Sequence, residues 1–270
     1  MDNSSAPIGI FDSGIGGLTV AHAIKEVLPN ERLIYFGDTA HLPYGDKSAA
    51  AVQAYSIKIT DLLINQGCKA IVIACNTASS VANELLKEYT ASRAKVINVV
   101  DPMVELVAQQ TTNERVGVIG TKGTIASSIY RSKLVAKRPE LQVQQLPTPL
   151  LVPMIEEGFI HNKVSQDIID TYLSSEKLND ITHIVLGCTH YPLIKDEIAN
   201  YYDQKIVIHD SSLVTAGYLK NYLIEYNLQN LNGSDEQDHF YVSDFTADFE
   251  RSANYFFSDK VRLEQYKLWE

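Results

Sequence analysis

Apolar residues in this chain come in short blocks that do not alternate with polar ones. Such blocks stand at 7-PIGIF-11, 32-RLIYFG-37, 69-KAIVIA-74, 95-KVINVV-100, 115-RVGVIG-120, 142-QVQQLP-147, 183-HIVLG-187 and 205-KIVIH-209. A strand with one wet face alternates, whereas an unbroken apolar run fits a strand covered on both faces of a parallel sheet. Helix-compatible segments lie between the blocks, at 17-GLTVAHAIKEVL-28, 48-SAAAVQAYSIKITDLLINQ-66 and 79-SSVANELLKEY-89. Ser48 and Ser79 are the expected N-caps, and Pro29 and Gly67 the expected stops. The alternation predicts an α/β fold with mainly parallel sheets.

The pattern also repeats. The segment 8-IGIFDSG-14 resembles 116-VGVIGTKG-123, and 71-IVIACNTAS-79 resembles 184-IVLGCTHYP-192, at nearly equal offsets. Two such pairs point to two related α/β units. A unit starting near 99-VVDPMVE-105 ends near 210, which leaves a tail from 211 to 270 to be placed. Within it, 212-SLVTAGYLKNYLIEY-226 reads as an amphipathic helix, and 231-LNGSDEQDHFYVSDFTADFE-250 holds an acidic turn, a short β-like run and an aromatic end. That stretch is too apolar for disorder.

Charge narrows the range of partners. The net charge is −10 with no basic cluster, which disfavours nucleic acid and anionic membranes because phosphate binding needs a positive footprint. An apolar fraction of 45% and a charged fraction of 21% suit an ordinary globular protein with a proper core. No apolar stretch approaches the roughly 20 residues of a membrane helix, and the first residues lack a leader pattern, so a cytoplasmic location is expected. Three cysteines, Cys68, Cys75 and Cys188, make a poor disulfide framework, and their spacing does not suit zinc.

In an open parallel sheet, ligands bind beyond the carboxyl ends of strands. Four loops there carry polar chemistry: Asp12-Ser13-Gly14, Pro43-Tyr44-Gly45, Cys75-Asn76-Thr77 and Cys188-Thr189-His190, with Thr121 at the place equivalent to Ser13. Cys68, in a helix-to-strand turn, reads as a small buried apolar residue. Cys75 and Cys188 each end a strand, where the N–H groups of the following turn can stabilise a thiolate. If the two units face one another, a thiol flanks a substrate carbon on each side. Thiols suit reversible proton transfer, since their pKa of about 8.5 needs only a modest shift to approach neutrality.

Asp12 is either an N-cap for the helix starting at Gly17 or a carboxylate that assists one thiol or holds a substrate ammonium. The nearby glycines match neither a Walker A loop nor the full dinucleotide fingerprint. His190 shares a loop with Cys188 and is read as a proton-transfer group. His22, His161, His183, His209 and His239 are read as structural, and His41 stays open. Ser13, Asn76, Thr77, Thr121 and Thr189, with backbone N–H groups, could bind carboxylates without an arginine.

Taken with 8-IGIFDSGIGGLTV-20, 36-FGDTAHLPYG-45, 72-VIACNTAS-79, 116-VGVIGT-121, 151-LVPMIEEG-158 and 185-VLGCTHYPL-193, these residues make the chain resemble the glutamate racemases, the cofactor-independent branch of the aspartate/glutamate racemase family. The resemblance implies two pseudo-symmetric α/β domains, residues 1–98 plus 211–270 and residues 99–210, with the active site in the cleft between them. It implies Cys75 and Cys188 as the two bases, one for each enantiomer, assisted by Asp12, Glu156 and His190. It implies Asp12, Ser13, Pro43, Tyr44, Gly45, Asn76, Thr77, Thr121, Thr189 and His190 as substrate-binding positions. No cofactor and no metal is expected. A homodimer is expected, as is a supply of D-glutamate to peptidoglycan synthesis, with a peptidoglycan precursor as an activator in some relatives. By itself, 156-EE-157 reads as a solvated helix face.

Other readings stay open at this level. An aspartate racemase would use the same chemistry. A binding protein that closes on an amino acid would need neither thiol. A cysteine hydrolase built on Cys188 and His190 would give Cys75 no task. A pyridoxal phosphate enzyme would need a lysine at a strand end, where only Lys122 stands close.

Overall fold

The computed structural model describes residues 4–234, 236–257 and 261–270. The first three residues of the segment read as lacking a leader, and Asp235 of the acidic turn, lie outside it. Among the described residues, ten strands are interspersed with eleven α-helices. The strands are β1 (Ile8–Asp12), β2 (Leu33–Gly37), β3 (Ala70–Ile73), β4 (Lys95–Asn98), β5 (Arg115–Gly120), β6 (Gln142–Pro147), β7 (His183–Gly187), β8 (Val207–Asp210), β9 (His239–Val242) and β10 (Leu263–Gln265). The helices are α1 (Leu18–Val27), α2 (Ala49–Asn65), α3 (Asn76–Thr90), α4 (Val100–Gln110), α5 (Lys122–Ala126), α6 (Ile129–Lys137), α7 (Leu151–Glu156), α8 (Lys163–Leu173), α9 (Lys195–Tyr201), α10 (Ser211–Glu225) and α11 (Ala247–Phe256).

The strands form two sheets, ordered β10-β9-β2-β1-β3-β4 and β6-β5-β7-β8. Every pair described is parallel. All eight apolar blocks of the sequence are strands β1 to β8. Strands β1, β2, β3 and β7 are buried at every residue, which is why they do not alternate. The order β2-β1-β3-β4 in the first sheet repeats as β6-β5-β7-β8 in the second. The paired segments of the sequence therefore occupy matching places: β1 with β5, and β3 with β7. In each sheet the chain reverses direction of growth between those two strands, at the switch point where open α/β sheets bind ligands.

The tail from 211 onward joins the first sheet. Its helix α10 packs between α1 and α4, and β9 extends the sheet beside β2, pairing Tyr35 with Phe240. β10 adds one more strand outside β9, a pairing the sequence pattern does not announce because only three residues take part. Among the described residues, no helix is long and apolar enough to cross a membrane.

One helix start differs from expectation. The third helix begins at Asn76 rather than Ser79, and its cap is Cys75, whose sulfur accepts the Ala78 N–H at 3.4 Å. β3 runs into the helix with almost no loop, so the cap falls on the strand-end residue. Ser79 instead donates its hydroxyl to the Ile73 carbonyl at 3.1 Å. Ser48 caps α2 as expected, accepting the Ala51 N–H at 3.3 Å.

Candidate active site

The loops after β1, β3, β5 and β7 meet between the sheets around a cavity of about 270 Å³. Its wall includes Ser13, Pro43, Tyr44, Gly45, Cys75, Asn76, Thr77, Thr121, Glu156, Cys188, Thr189 and His190. Every site residue predicted from the sequence is thus on the wall, except Asp12. Asp12 is fully buried just behind it, where its Oδ2 accepts the Gly14 N–H at 3.1 Å. It does not cap α1, which has no side-chain cap.

Cys75 and Cys188 enter from opposite sheets at equivalent positions, and both are buried. Each sulfur has a small local circuit. Cys75 donates to the Ser13 hydroxyl at 3.7 Å and receives the Ala78 N–H. Burial and the neighbouring Asp12 carboxylate push its thiol up to about 12, against the opposing pull of Ala78 and Ser13. Cys75 therefore rests as a thiol. Asp12 is itself held above the usual carboxylate range by burial, with the charge of His190 and the N–H groups of Gly17, Gly14 and Ser13 pulling the other way.

The opposite side is built differently. Cys188 lies 3.7 Å from His190 Nδ1, and His190 Nε2 lies 2.9 Å from Glu156 Oε1. Burial alone would lower the histidine. The bonds to Cys188 and Glu156 outweigh it and raise the imidazole to about 10, so the ring carries a proton at neutral pH. The ring also meets Phe256 of α11 edge-on at 5.1 Å, which fixes its plane.

The two halves interlock around the cavity. The Tyr130 hydroxyl donates to Asn76 Oδ1 at 2.6 Å, and Asn76 Nδ2 is buried without a partner among the described residues. The hydroxyls of Thr77 and Thr121 meet at 2.8 Å, and Thr19 donates to the Thr189 carbonyl at 3.0 Å. The glycine turn after β1 makes room for this closure. A side chain at Gly16 would place its Cβ 2.3 Å from the His190 ring, and one at Gly17 would lie 2.5 Å from Asp12 Cβ.

Sequence reasoning alone missed several positions. Glu156 ends α7 and reaches the cavity through the packing of that helix against α8 and the turn at 191–194, so no local pattern marks it. Leu42, Pro149, Val152 and Pro153 add apolar wall, Thr148 adds a hydroxyl that meets that of Tyr191 at 2.6 Å, and Lys122 sits at the rim, 3.2 Å from Asp46 across the two halves. His22, His161, His183, His209 and His239 do not line the cavity. His183 and His209 stack on one another in the second sheet, 2.9 Å apart between ring nitrogens. Cys68 lies in the first core, where burial pushes it up to about 12.

Residues 17–217 match the family model for Asp/Glu/hydantoin racemases. A glutamate racemase from Persephonella marina is 42% identical over 261 residues, covering 97% of this chain and 97% of its own. A crystal structure of glutamate racemase from Francisella tularensis, in complex with D-glutamate, superposes with a TM-score of 0.92 at 40% identity, covering 100% of this chain and 99% of that one. A more distant structure, Escherichia coli glutamate racemase with L-glutamate and the activator UDP-MurNAc-ala, superposes with a TM-score of 0.77 at 27% identity, covering 96% and 98%.

Proposed function

The chain belongs to the Asp/Glu/hydantoin racemase family, and from that membership we propose that it interconverts L- and D-glutamate by moving the α-proton between two cysteines. The observation that carries this reading is that Cys75 and Cys188 both line one cavity, each at the end of an equivalent strand of a different sheet. An α-carbon held between them loses its proton to one sulfur and regains one from the other on the opposite face. The intermediate is planar at carbon, with its extra charge spread onto the carboxylate.

The two sides divide the work. Cys75 rests protonated beside Asp12 and is ready to act as the acid. When it loses its proton, the same Asp12 charge makes its thiolate a stronger base. Beside Cys188 the protonated His190 places a positive charge, and Glu156 balances that charge and orients the ring. Backbone N–H groups at the starts of α3 and α5, with Ser13, Asn76, Thr77, Thr121 and Thr189, are suited to hold carboxylates. Asn76 Nδ2 is a buried donor able to bind one of them. Pro43, Tyr44 and Gly45 close the wall beside Thr121. Lys122, the lysine weighed for a Schiff base, is more than half exposed at the rim and held by Asp46, away from both sulfurs' local circuits.

The same reading takes residues 1–98 with 211–270 as one unit and residues 99–210 as the other, with the cavity in their cleft. It also includes a homodimer, a cytoplasmic location, D-glutamate supply to peptidoglycan synthesis and a peptidoglycan precursor as activator. Its support is family membership and, for the activator, the Escherichia coli relative. The test is proton NMR of L-glutamate in D₂O with reduced protein and no added cofactor. Loss of the α-proton signal together with decay of optical activity to zero is expected. Cys75→Ser is expected to abolish racemisation while leaving glutamate binding in place. An exchange rate at background level with glutamate, with and without activator, would sink the reading.

A further inference from the structure

Asp38 is a buried carboxylate that the proton transfer does not use. It follows β2, is fully buried, and does not line the cavity. Four side chains converge on it. Tyr44 donates its hydroxyl to Oδ2 at 2.7 Å, and His41 Nδ1 lies 3.0 Å from the same oxygen. Ser243 donates to Oδ1 at 2.8 Å, and the Trp269 indole N–H donates to Oδ1 at 2.8 Å. A buried charge must be met by donors, and here the donors come from three separate stretches of chain. Two of them, the segment after β9 and the segment after β10, lie over 200 residues away in sequence.

The Trp269 ring adds a second constraint. It stands edge-on to His41 at 4.5 Å and to Tyr55 at 5.4 Å, with the Lys58 ammonium 4.9 Å from its centre. His41 in turn stacks on Tyr55 at 4.1 Å. The tryptophan therefore closes a box whose other sides hold the turn leading into Pro43-Tyr44-Gly45. Tyr44 lines the cavity while its hydroxyl is tied to Asp38.

We propose that Trp269 is a positioning residue for the cavity wall at 43–45, acting through Asp38 and setting the affinity for substrate. The proposal rests on the reading above that this wall contacts glutamate. Removing the indole donor leaves Oδ1 still bonded by Ser243, with His41 3.1 Å away. The carboxylate is not orphaned, so the fold survives while the wall loosens.

The test is Trp269→Phe, which keeps a ring and deletes the N–H. The expected result is a KM for glutamate raised about tenfold, as for loss of one hydrogen bond to a charged group. The kcat is expected to stay within about twofold, and the thermal midpoint to fall by a few degrees, as for one lost buried hydrogen bond to a charged group. Trp269 is the sole tryptophan of the chain, so its fluorescence in the wild type supplies an independent readout. Glutamate is expected to change that emission with a midpoint equal to KM. An unchanged KM in the variant overturns the inference and leaves the racemase reading intact, as does a KM change accompanied by a tenfold or greater loss of kcat. Should the variant fail to fold, the wild-type titration decides, and emission indifferent to saturating glutamate overturns the inference. A wild-type protein that does not racemise glutamate removes both.

Discussion

At the scale of single residues, the site is a set of close approaches in which few atoms have room to spare. Gly16 is the clearest case, since any side chain there meets the His190 ring at 2.3 Å and the Thr189 hydroxyl at 2.7 Å. His190 cannot retreat, because Phe256 packs against it and Glu156 holds its far nitrogen. Gly16→Ala is therefore expected to lower kcat about 100-fold, the scale of effect when a catalytic group is displaced by about 1 Å. The far-ultraviolet circular dichroism should be unchanged, and a variant with wild-type kcat would refute this account of the glycine. The two cysteines were legible because each sits directly after an apolar run, and His190 because it shares a loop with Cys188. Glu156 was not, because only the packing of α7 against α8 and the turn at 191–194 brings it to the histidine. Asp12 was legible as a carboxylate beside a thiol, but its burial behind the wall was not.

At the scale of elements, helix starts decide where chemistry can sit. Cys75 occupies a cap position that serine, threonine or aspartate usually fills, which gives its sulfur a backbone N–H from Ala78. The sequence pointed to Ser79 instead, since serine is the stronger cap by composition. Caps away from the cavity carry only stability. Asn162 accepts the N–H groups of Val164 and Ser165 at the start of α8, while the Ser165 hydroxyl receives the Asn162 N–H. Asn162→Ala is expected to cost about 1 kcal/mol, or about 2–4 °C in thermal midpoint for a chain of this size. Racemisation should be unaffected, and a change in kcat would mean that α8 controls the neighbouring α7 and Glu156.

For the molecule as a whole, the cavity depends on both halves, and so does its titration. His190 is raised to about 10 in the fold, against an ordinary 6.5 when unfolded. Its contribution to stability is complete below about pH 6.5 and is lost as pH rises towards 10. Cys75 and Cys68 are both raised to about 12 from 9.0, so the unfolded chain releases their protons first and stability falls further above pH 9. All three groups act in the same direction, with a slope of up to about 1.4 kcal/mol per pH unit for each proton held only by the folded state. Urea unfolding under reducing conditions should thus show a midpoint that drops between pH 7 and pH 10. Cys75→Ala should flatten the part above pH 9. A flat midpoint across that range would contradict the burial described for these groups.

The sequence by itself determined the elements and their kind. Strands β1, β2, β3 and β7, buried at every residue, must be written as unbroken apolar runs, because both of their faces are covered. It also determined the duplication, since two units with one strand order need similar residues at β1 and β5 and at β3 and β7. With the strand ends known, the polar loops that could hold a ligand followed from the rule for open parallel sheets. The tertiary structure alone decided what those loops meet. The approach of Gly16 to His190, the turn of Glu156 into the cavity, the pairing of β10 with β9 and the Ser243 and Trp269 donors to Asp38 all join residues distant in sequence. Such contacts have no period and no local propensity. They arise only when two sheets and their helices close over a shared interior, where each buried charge must find its partner.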